Sequence, residues 1–280
     1  MKTAFIVLTY NRPDTLLQVL RGLVSQCGAQ HEVIIADDGS SQASLDVLQK
    51  ALPLFQCPVI HVWHPDTGFT ASRARNLAAS ASAADYFVFL DGDCIPNPRF
   101  VEAHLDLSEP GFFVNGSRVL LSERLTQKIL TNEVDINKAH WGDWLRWRWS
   151  GDANKLIHLL QWPGMPFRME KNFRWKKIRS CNFGVWRDDF FRVNGFDESF
   201  QGWGHEDADF VLRLHNAGVY RKNGFCATEV YHLWHRENSR SHELTNRQVV
   251  EQRSRTEIVR AAQGVGDALA ADGVRVTRLN

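Results

Sequence analysis

The sequence predicts an α/β fold built on a mostly parallel central sheet flanked by helices. Two observations carry this expectation. Apolar, strand-like runs alternate with helix-period segments over the first hundred residues. Polar or acidic loops follow the first, second and fourth of those runs. Strands joined through helices form right-handed βαβ units, and ligands of such sheets bind at the carboxyl ends of the strands. A chain of 280 residues, 44% hydrophobic and 23% charged, can bury the core that such a sheet needs.

The elements follow in order. Ala4–Thr9 is the first strand, and Asn11-Arg12-Pro13-Asp14 after it carries helix-start chemistry. Leu16, Leu17, Leu20, Leu23, Val24 and Cys27 then recur at helical spacing. The second strand, Glu32–Ala36, ends in Asp37-Asp38-Gly39-Ser40-Ser41, and a helical stretch continues through Leu54. Pro58–Trp63 reads as the third strand and the alanine-rich Thr70–Ala83 as a helix. Arg73 and Arg75 lie at the start of that helix, a natural phosphate site, although either alone could be surface charge. The fourth strand is Tyr86–Leu90.

After about residue 115 the alternation fades. Eight of the ten tryptophans fall between Trp141 and Trp203. Trp141, Trp144 and Trp147, spaced three apart beside Arg146 and Arg148, are expected to share one helical face. That face reads first as a core stripe, with a sugar-stacking surface or a helix lying on a membrane as the alternatives. Residues 244–263 suggest a polar, charged helix, and the last dozen residues should be loosely held.

The most informative stretch is Tyr86–Asn97, YFVFLDGDCIPN. If the chain stays extended, Asp91 and Asp93 point to the same side. Two like charges repel by about 4 kcal/mol at ~4 Å and an effective dielectric of ~20. A divalent cation relieves that repulsion, and oxygen ligands suit Mg²⁺ or Mn²⁺. An ordinary Asp-Gly turn is the competing explanation. In GFDESFQGWGHEDADFVLRL (195–214), Gly202 and Gly204 flank Trp203 ahead of Glu206, Asp207 and Asp209, which open a helix. Acids favour a helix start on dipole grounds alone, yet a carboxylate there could also accept a proton from a hydroxyl. His232 and His235, three apart, could complete a metal site begun by Asp93, or serve as partners for buried polar groups.

Composition narrows the partners. A net charge of +1 exerts no global pull toward nucleic acid or membrane, so an anionic substrate must be held by local groups. The five cysteines are odd in number and widely spaced, which suggests reduced thiols in a cytoplasm. The apolar run at the N-terminus is too short for a signal peptide, and no segment of ~20 apolar residues follows.

Taken together, TYNRP, ADDGS, the Gly68…Ala74-Arg75-Asn76 segment and DGD resemble family 2 glycosyltransferases of the GT-A fold. GFDESFQGWGHEDADFVLRL resembles the acceptor-side motif of β-1,4-galactosyltransferases and bacterial chondroitin polymerases. The resemblance spans roughly residues 3–238, less clearly over 116–175. It implies a metal-dependent, inverting glycosyl transfer from a nucleotide sugar, with UDP the expected nucleotide, to a hydroxyl of a glycan or lipid-linked glycan. Thr9, Tyr10 and Asp38 would line the uracil and ribose pocket, with Asn11 and Arg75 also contacting the nucleotide sugar. Asp91 would face the ribose and donor sugar. Asp93, His232 and His235 would hold Mn²⁺ or Mg²⁺. Trp203 and Glu206 would bind the acceptor, and Asp207 would be the general base. Where His205 stands, the family motif usually has glycine.

The implied organisation is a nucleotide-sugar half (1–115), an acceptor and catalytic half (116–240) and a C-terminal helical tail (241–280). The expected setting is cytoplasmic, with peripheral contact at the inner membrane face left open, in lipopolysaccharide or capsule synthesis. A non-catalytic glycan-binding module and a nucleotidyltransferase are the alternatives.

Overall fold

The computed structural model describes residues 1–175, 178, 180–200, 202, 204–236, 242–266 and 272–280. β1 (Thr3–Thr9), β2 (His31–Asp37), β3 (Val59–Trp63) and β4 (Tyr86–Asp91) are parallel neighbours. α1 (Pro13–Val24), α2 (Gln42–Ala51) and α3 (Ala71–Ser80) connect them, as the alternation predicts. Register pairs Thr9 with Asp37 and Leu8 with Asp91, so the three loops after β1, β2 and β4 emerge side by side.

The later elements extend this platform. β5 (Cys94–Pro96), α4 (Phe100–Leu107), β6 (Phe112–Asn115) and β7 (Ser117–Leu120) come first, then α5 (Glu123–Leu130), α6 (Trp141–Trp149) and β8 (Met169–Glu170). β9 (Asn182–Trp186), α7 (Arg187–Arg192), α8 (Glu206–Asn216) and β10 (Tyr220–Asn223) follow, and β11 (Glu229–His232), α9 (Glu243–Arg253) and β12 (Arg275–Arg278) complete the order. Among the described residues the main sheet runs β12-β3-β2-β1-β4-β9-β6-β10-β8, and a small second sheet runs β5-β11-β7.

β4 is buried on both faces, as an apolar run of this kind should be. Tyr86, Val88 and Leu90 enter one core with the α1 leucines, whereas Phe87 and Phe89 enter the other. On that second face Phe89 lies 5.4 Å from Phe196, which stacks at 4.4 Å on Phe210 of α8. Each fully buried phenylalanine contributes about 1.5–3 kcal/mol. This aromatic chain sets where α8 begins relative to the end of β4.

Four local expectations are corrected. The second helix ends at Ala51 rather than Leu54, and the helix expected over 244–263 stops at Arg253. The last residues are tied down, because β12 pairs antiparallel with β3 and Leu279 N–H donates to Val59 O. The tryptophans of α6 do not share one face: Trp144 and Trp147 are buried, but Trp141 is 72% exposed. Three residues advance a helix by roughly 300°, so two such steps carry Trp147 about 120° from Trp141.

Candidate active site

A cleft of about 690 Å³ opens at the carboxyl ends of β1 and β4 and against the second sheet, with Thr9, Tyr10, Asp38, Arg75, Asp91 and Asp93 among its walls. Thr9 is buried at the end of β1. Tyr10, beyond it, donates its hydroxyl to Asp66 at 2.8 Å. Asp38 is buried and oriented by Thr70, with His64 beside it. Thr70 N–H donates to Oδ2 at 3.0 Å, Thr70 Oγ1 donates to Oδ1 at 2.5 Å, and His64 Nε2 lies 3.2 Å from Oδ1. The next residue, Gly39, has φ +96°, and a Cβ there would stand 2.5 Å from the Asp66 backbone. Only glycine fits that turn.

At the end of β4 the chain does not stay extended. Gly92 N–H donates to Leu8 O at 2.7 Å, and Gly92-Asp93 forms a turn. A Cβ at 92 would meet the same carbonyl oxygen at 2.7 Å. The turn corrects the expectation that the two carboxylates converge. Asp91 instead pairs with Arg75 at 2.9 Å, and Asp93 faces two imidazoles. Arg75 is fully buried on α3 and also lies 3.7 Å from Glu206. Burial weighs against its charge, but Asp91 and Glu206 outweigh burial and raise its pKa. The partner for Asp91 thus comes from 16 residues upstream, beyond the reach of the local motif. Arg73, the other arginine of that helix, lies 3.9 Å from Glu198.

The second sheet builds the imidazole side. β11 runs antiparallel to β5 with His232 opposite Cys94, which sets His232 beside Asp93. His235 Nε2 lies 3.2 Å from Asp93 Oδ2 and His232 Nε2 lies 3.9 Å from Oδ1. His235 Nδ1 donates to the Arg236 carbonyl at 2.8 Å. Because a carbonyl only accepts, neutral His235 aims the lone pair of Nε2 at a carboxylate oxygen. A cation between them turns that opposition into coordination, with the other ring nitrogen already anchored. Cys94 Sγ is 3.5 Å from Asp93 Oδ1, and, without a cation, burial pushes its thiol well up. Asp93, His232 and His235 offer one oxygen and two nitrogens, a set that can hold a divalent transition cation such as Mn²⁺, whereas Mg²⁺ favours oxygen ligands.

α8 supplies the remaining acids. Its first residue, Glu206, is buried and lines the cleft. Asp207 keeps part of its surface exposed, yet the protein packed around its carboxyl and the adjacent Glu206 push its pKa up to about 7. The Ala208 and Ser180 N–H groups and Arg75 oppose that rise. Asp207 adjoins the cleft through Glu206 and Ser180, both of which line it. His205, just before the helix, has φ +69°, a left-handed conformation that explains glycine at this point of the motif it resembles. Arg253 of α9 secures the helix by bonding Asp197 at 2.8 Å and Asp209 at 2.7 Å, and Asn246 Nδ2 donates to Gly204 O.

The cleft therefore brings together Thr9, Tyr10, Asp38, Arg75, Asp91, Asp93, Glu206, His232 and His235. Asn11 stands apart: its side-chain oxygen accepts from Ser41 N–H at 2.8 Å and Ser44 Oγ at 3.1 Å, tying the first loop to α2. Trp203 lies outside the described residues. Sequence reasoning missed Thr70, which orients Asp38, His64, which packs beside it, and Arg118, which lines the cleft from β7. The available signal for Arg118 was a lone cation before the apolar run Val119-Leu120-Leu121.

Comparison with known proteins agrees with this geometry. Residues 4–183 match the family described as Glycosyl transferase family 2, and residues 168–236 match the N-terminal domain of galactosyltransferase. Chondroitin synthase from Escherichia coli is 28% identical over 235 residues, covering 78% of this chain and 32% of the relative. Validoxylamine A glucosyltransferase from Streptomyces hygroscopicus subsp. jinggangensis is 28% identical over 222 residues, covering 76% and 51%. The chain thus spans about a third to a half of the length of these two relatives. Among solved structures, S. aureus TarS 1-349 in complex with UDP-GlcNAc aligns with a TM-score of 0.57 at 16% identity, over 96% of this chain and 69% of that one. The catalytic domain of Drosophila β1,4-galactosyltransferase 7 aligns with a TM-score of 0.52 at 14% identity, over 94% and 82%. These structural neighbours share the GT-A fold. The fold and the sequence matches agree, and the chain belongs to glycosyl transferase family 2.

Proposed function

We propose that the chain moves a sugar, with inversion, from a UDP-sugar to a hydroxyl of a glycan or lipid-linked glycan, in lipopolysaccharide or capsule synthesis. One observation carries the reading: a single cleft gathers Asp38, Arg75, Asp91, Asp93, Glu206, His232 and His235 from separate stretches of the chain. Asp38, held by Thr70, accepts from the uracil ring nitrogen, while Thr9 and Tyr10 flank the base and ribose. Asp91, fixed by Arg75, faces the ribose and donor sugar. Asp93, His232 and His235 hold Mn²⁺ or Mg²⁺, which when bound neutralises a departing diphosphate as a Lewis acid. Glu206 holds the acceptor, and Trp203 stacks on its sugar. Asp207 takes the acceptor proton, and a carboxyl poised near neutral pH suits that role.

One carboxylate base serves a direct displacement, whereas glycoside hydrolysis needs an acid as well across the scissile bond. A relative that is a chondroitin synthase and a neighbour solved with UDP-GlcNAc support a UDP donor. A mannosyltransferase solved with GDP-Man and Mn²⁺, with a TM-score of 0.51, supports a divalent cation. We assign residues 1–115 to the nucleotide sugar, 116–240 to the acceptor and catalysis, and 241–280 to a C-terminal tail. Five free, buried cysteines fit a reducing cytoplasm. Among the described residues no helix is long and apolar enough to cross a membrane. Peripheral contact is carried by α6, where exposed Trp141, Leu145 and Trp149 stand beside exposed Arg146 and Arg148.

The test is UDP release by the purified protein against a panel of UDP-sugars, together with calorimetric titration of UDP with and without Mn²⁺. We expect release with at least one donor and UDP binding that depends on the metal. Metal-independent or absent UDP binding, with no release, overturns the proposal.

A further inference from the structure

Two arginines that line the cleft differ in how they are paired. Arg75 is held by Asp91 and Glu206. Arg118 is held by no carboxylate among the described residues: its Nε is buried without a hydrogen-bond partner, and Nη1 reaches only the Cys181 sulfur, at 4.0 Å. Its place in β7 is fixed by pairing with β11, which sets Arg118 opposite Val230 and Leu120 opposite His232. Side chains two apart on a strand share a face, so Arg118 looks out on the same side as His232. Both line the cleft, as do Asp91 and Asp93. Asp91 favours the charge of Arg118 only from beyond ion-pair distance, so the guanidinium keeps N–H donors free for an arriving anion.

We infer that Arg118 binds the diphosphate of the nucleotide sugar, receiving its oxygens beside the Asp93, His232 and His235 cluster. This rests on the nucleotide-sugar reading of the cleft and names a residue that reading did not use. A guanidinium presents parallel N–H donors in a fixed fork that matches phosphate oxygens. As the bond from the sugar anomeric carbon to the β-phosphate oxygen breaks, its electron pair stays on that oxygen and negative charge grows on the diphosphate. A donor already aimed there favours the transition state over the bound donor. The same oxyanion chemistry could come from a carboxylate or phosphate of an acidic acceptor, and the test separates the two sources.

The experiment compares the wild-type protein with Arg118→Gln and Arg118→Lys in the presence of Mn²⁺. UDP and uridine are titrated by calorimetry, and KM is measured separately for donor and acceptor. We expect Arg118→Gln to weaken UDP at least about tenfold, the scale of one lost charge-assisted hydrogen bond. Uridine binding and acceptor KM stay unchanged, kcat falls, and Arg118→Lys recovers part of the loss because it keeps the charge without the fork. Equal UDP affinity in wild type and Arg118→Gln overturns the inference alone. A change confined to acceptor KM also overturns it and moves Arg118 to the acceptor. If the wild type itself binds no UDP, the nucleotide-sugar reading falls and this inference with it. Should Arg118→Gln fail to fold, Arg118→Lys decides on the same readouts.

Discussion

The pH dependence of the rate tests the general base most directly. In the folded protein Asp207 is pushed up to about 7, by burial first and by the neighbouring Glu206 second. The proton acceptor must be the carboxylate, so the rate rises with pH through that value and levels off above it. About half of the enzyme is competent at pH 7 and about a tenth at pH 6, a tenfold fall per unit on the acid side. Asp207→Asn should lower kcat by about 10²–10⁴-fold, or ~3–5.5 kcal/mol of barrier, and abolish the acid limb. Glu206→Gln removes the second cause of the raised pKa and should move the limb to lower pH by about one unit. The assay is UDP release from about pH 5.5 to 8.5 at saturating donor and acceptor, with UDP binding measured alongside. UDP affinity should be unchanged in Asp207→Asn. The reasoning fails if that variant keeps the wild-type acid limb, or if its kcat stays within about threefold of wild type.

Further perturbations probe the surroundings of the site. Thr70→Val removes the hydroxyl donor to Asp38 and should weaken UDP by about fivefold, ~1 kcal/mol, with kcat little changed; unchanged UDP affinity in calorimetry would count against Thr70 as its orienting partner. His235→Ala should lower Mn²⁺ affinity by at least the ~10–100-fold typical of losing an outer-shell partner, read from the Mn²⁺ dependence of UDP binding, and an unaltered titration removes His235 from the metal site. Arg253→Met strips a shared cation from buried Asp197 and Asp209 and should destabilise the fold by about 3–5 kcal/mol in urea denaturation. A loss below ~1 kcal/mol, the range of surface pairs, would show that the clasp on α8 is not what holds it. His205→Val forces a β-branched residue into a left-handed conformation and should lose about 1–2 kcal/mol, whereas His205→Gly should not; equal stability of wild type and His205→Val contradicts the backbone assignment.

Much of the site could be read from the one-dimensional order, because its loops follow strands whose apolar character is plain. Asp38, Asp91 and Asp93 sit just past such runs, and a parallel sheet delivers the ends of its strands to one place. The acids of α8 were legible as a helix start behind glycines. Where local pattern misled, a longer-range contact had won. Asp91 and Asp93 are not a shared pair, because the Gly92 turn parts them and Arg75 takes the first. Asn11 belongs to a motif but spends its oxygen on α2. The α6 tryptophans diverge because helical geometry carries Trp141 away from the buried pair.

By itself, then, the sequence determined the alternating α/β architecture, the acidic character of the loops at its carboxyl edge and the residue types of the site. Those follow from periodicity and turn chemistry, which act over a few residues. The folded chain alone reveals that Arg75 pairs with Asp91 and Glu206, and that Arg118 reaches the cleft with no carboxylate in ion-pair contact among the described residues. For Asp93, His232 and His235 it supplies the distances to a grouping the sequence suggested. These depend on the register of β11 against β5 and β7 and on the aromatic packing that seats α8. Contacts between residues on separate elements leave no local trace in the order of the chain.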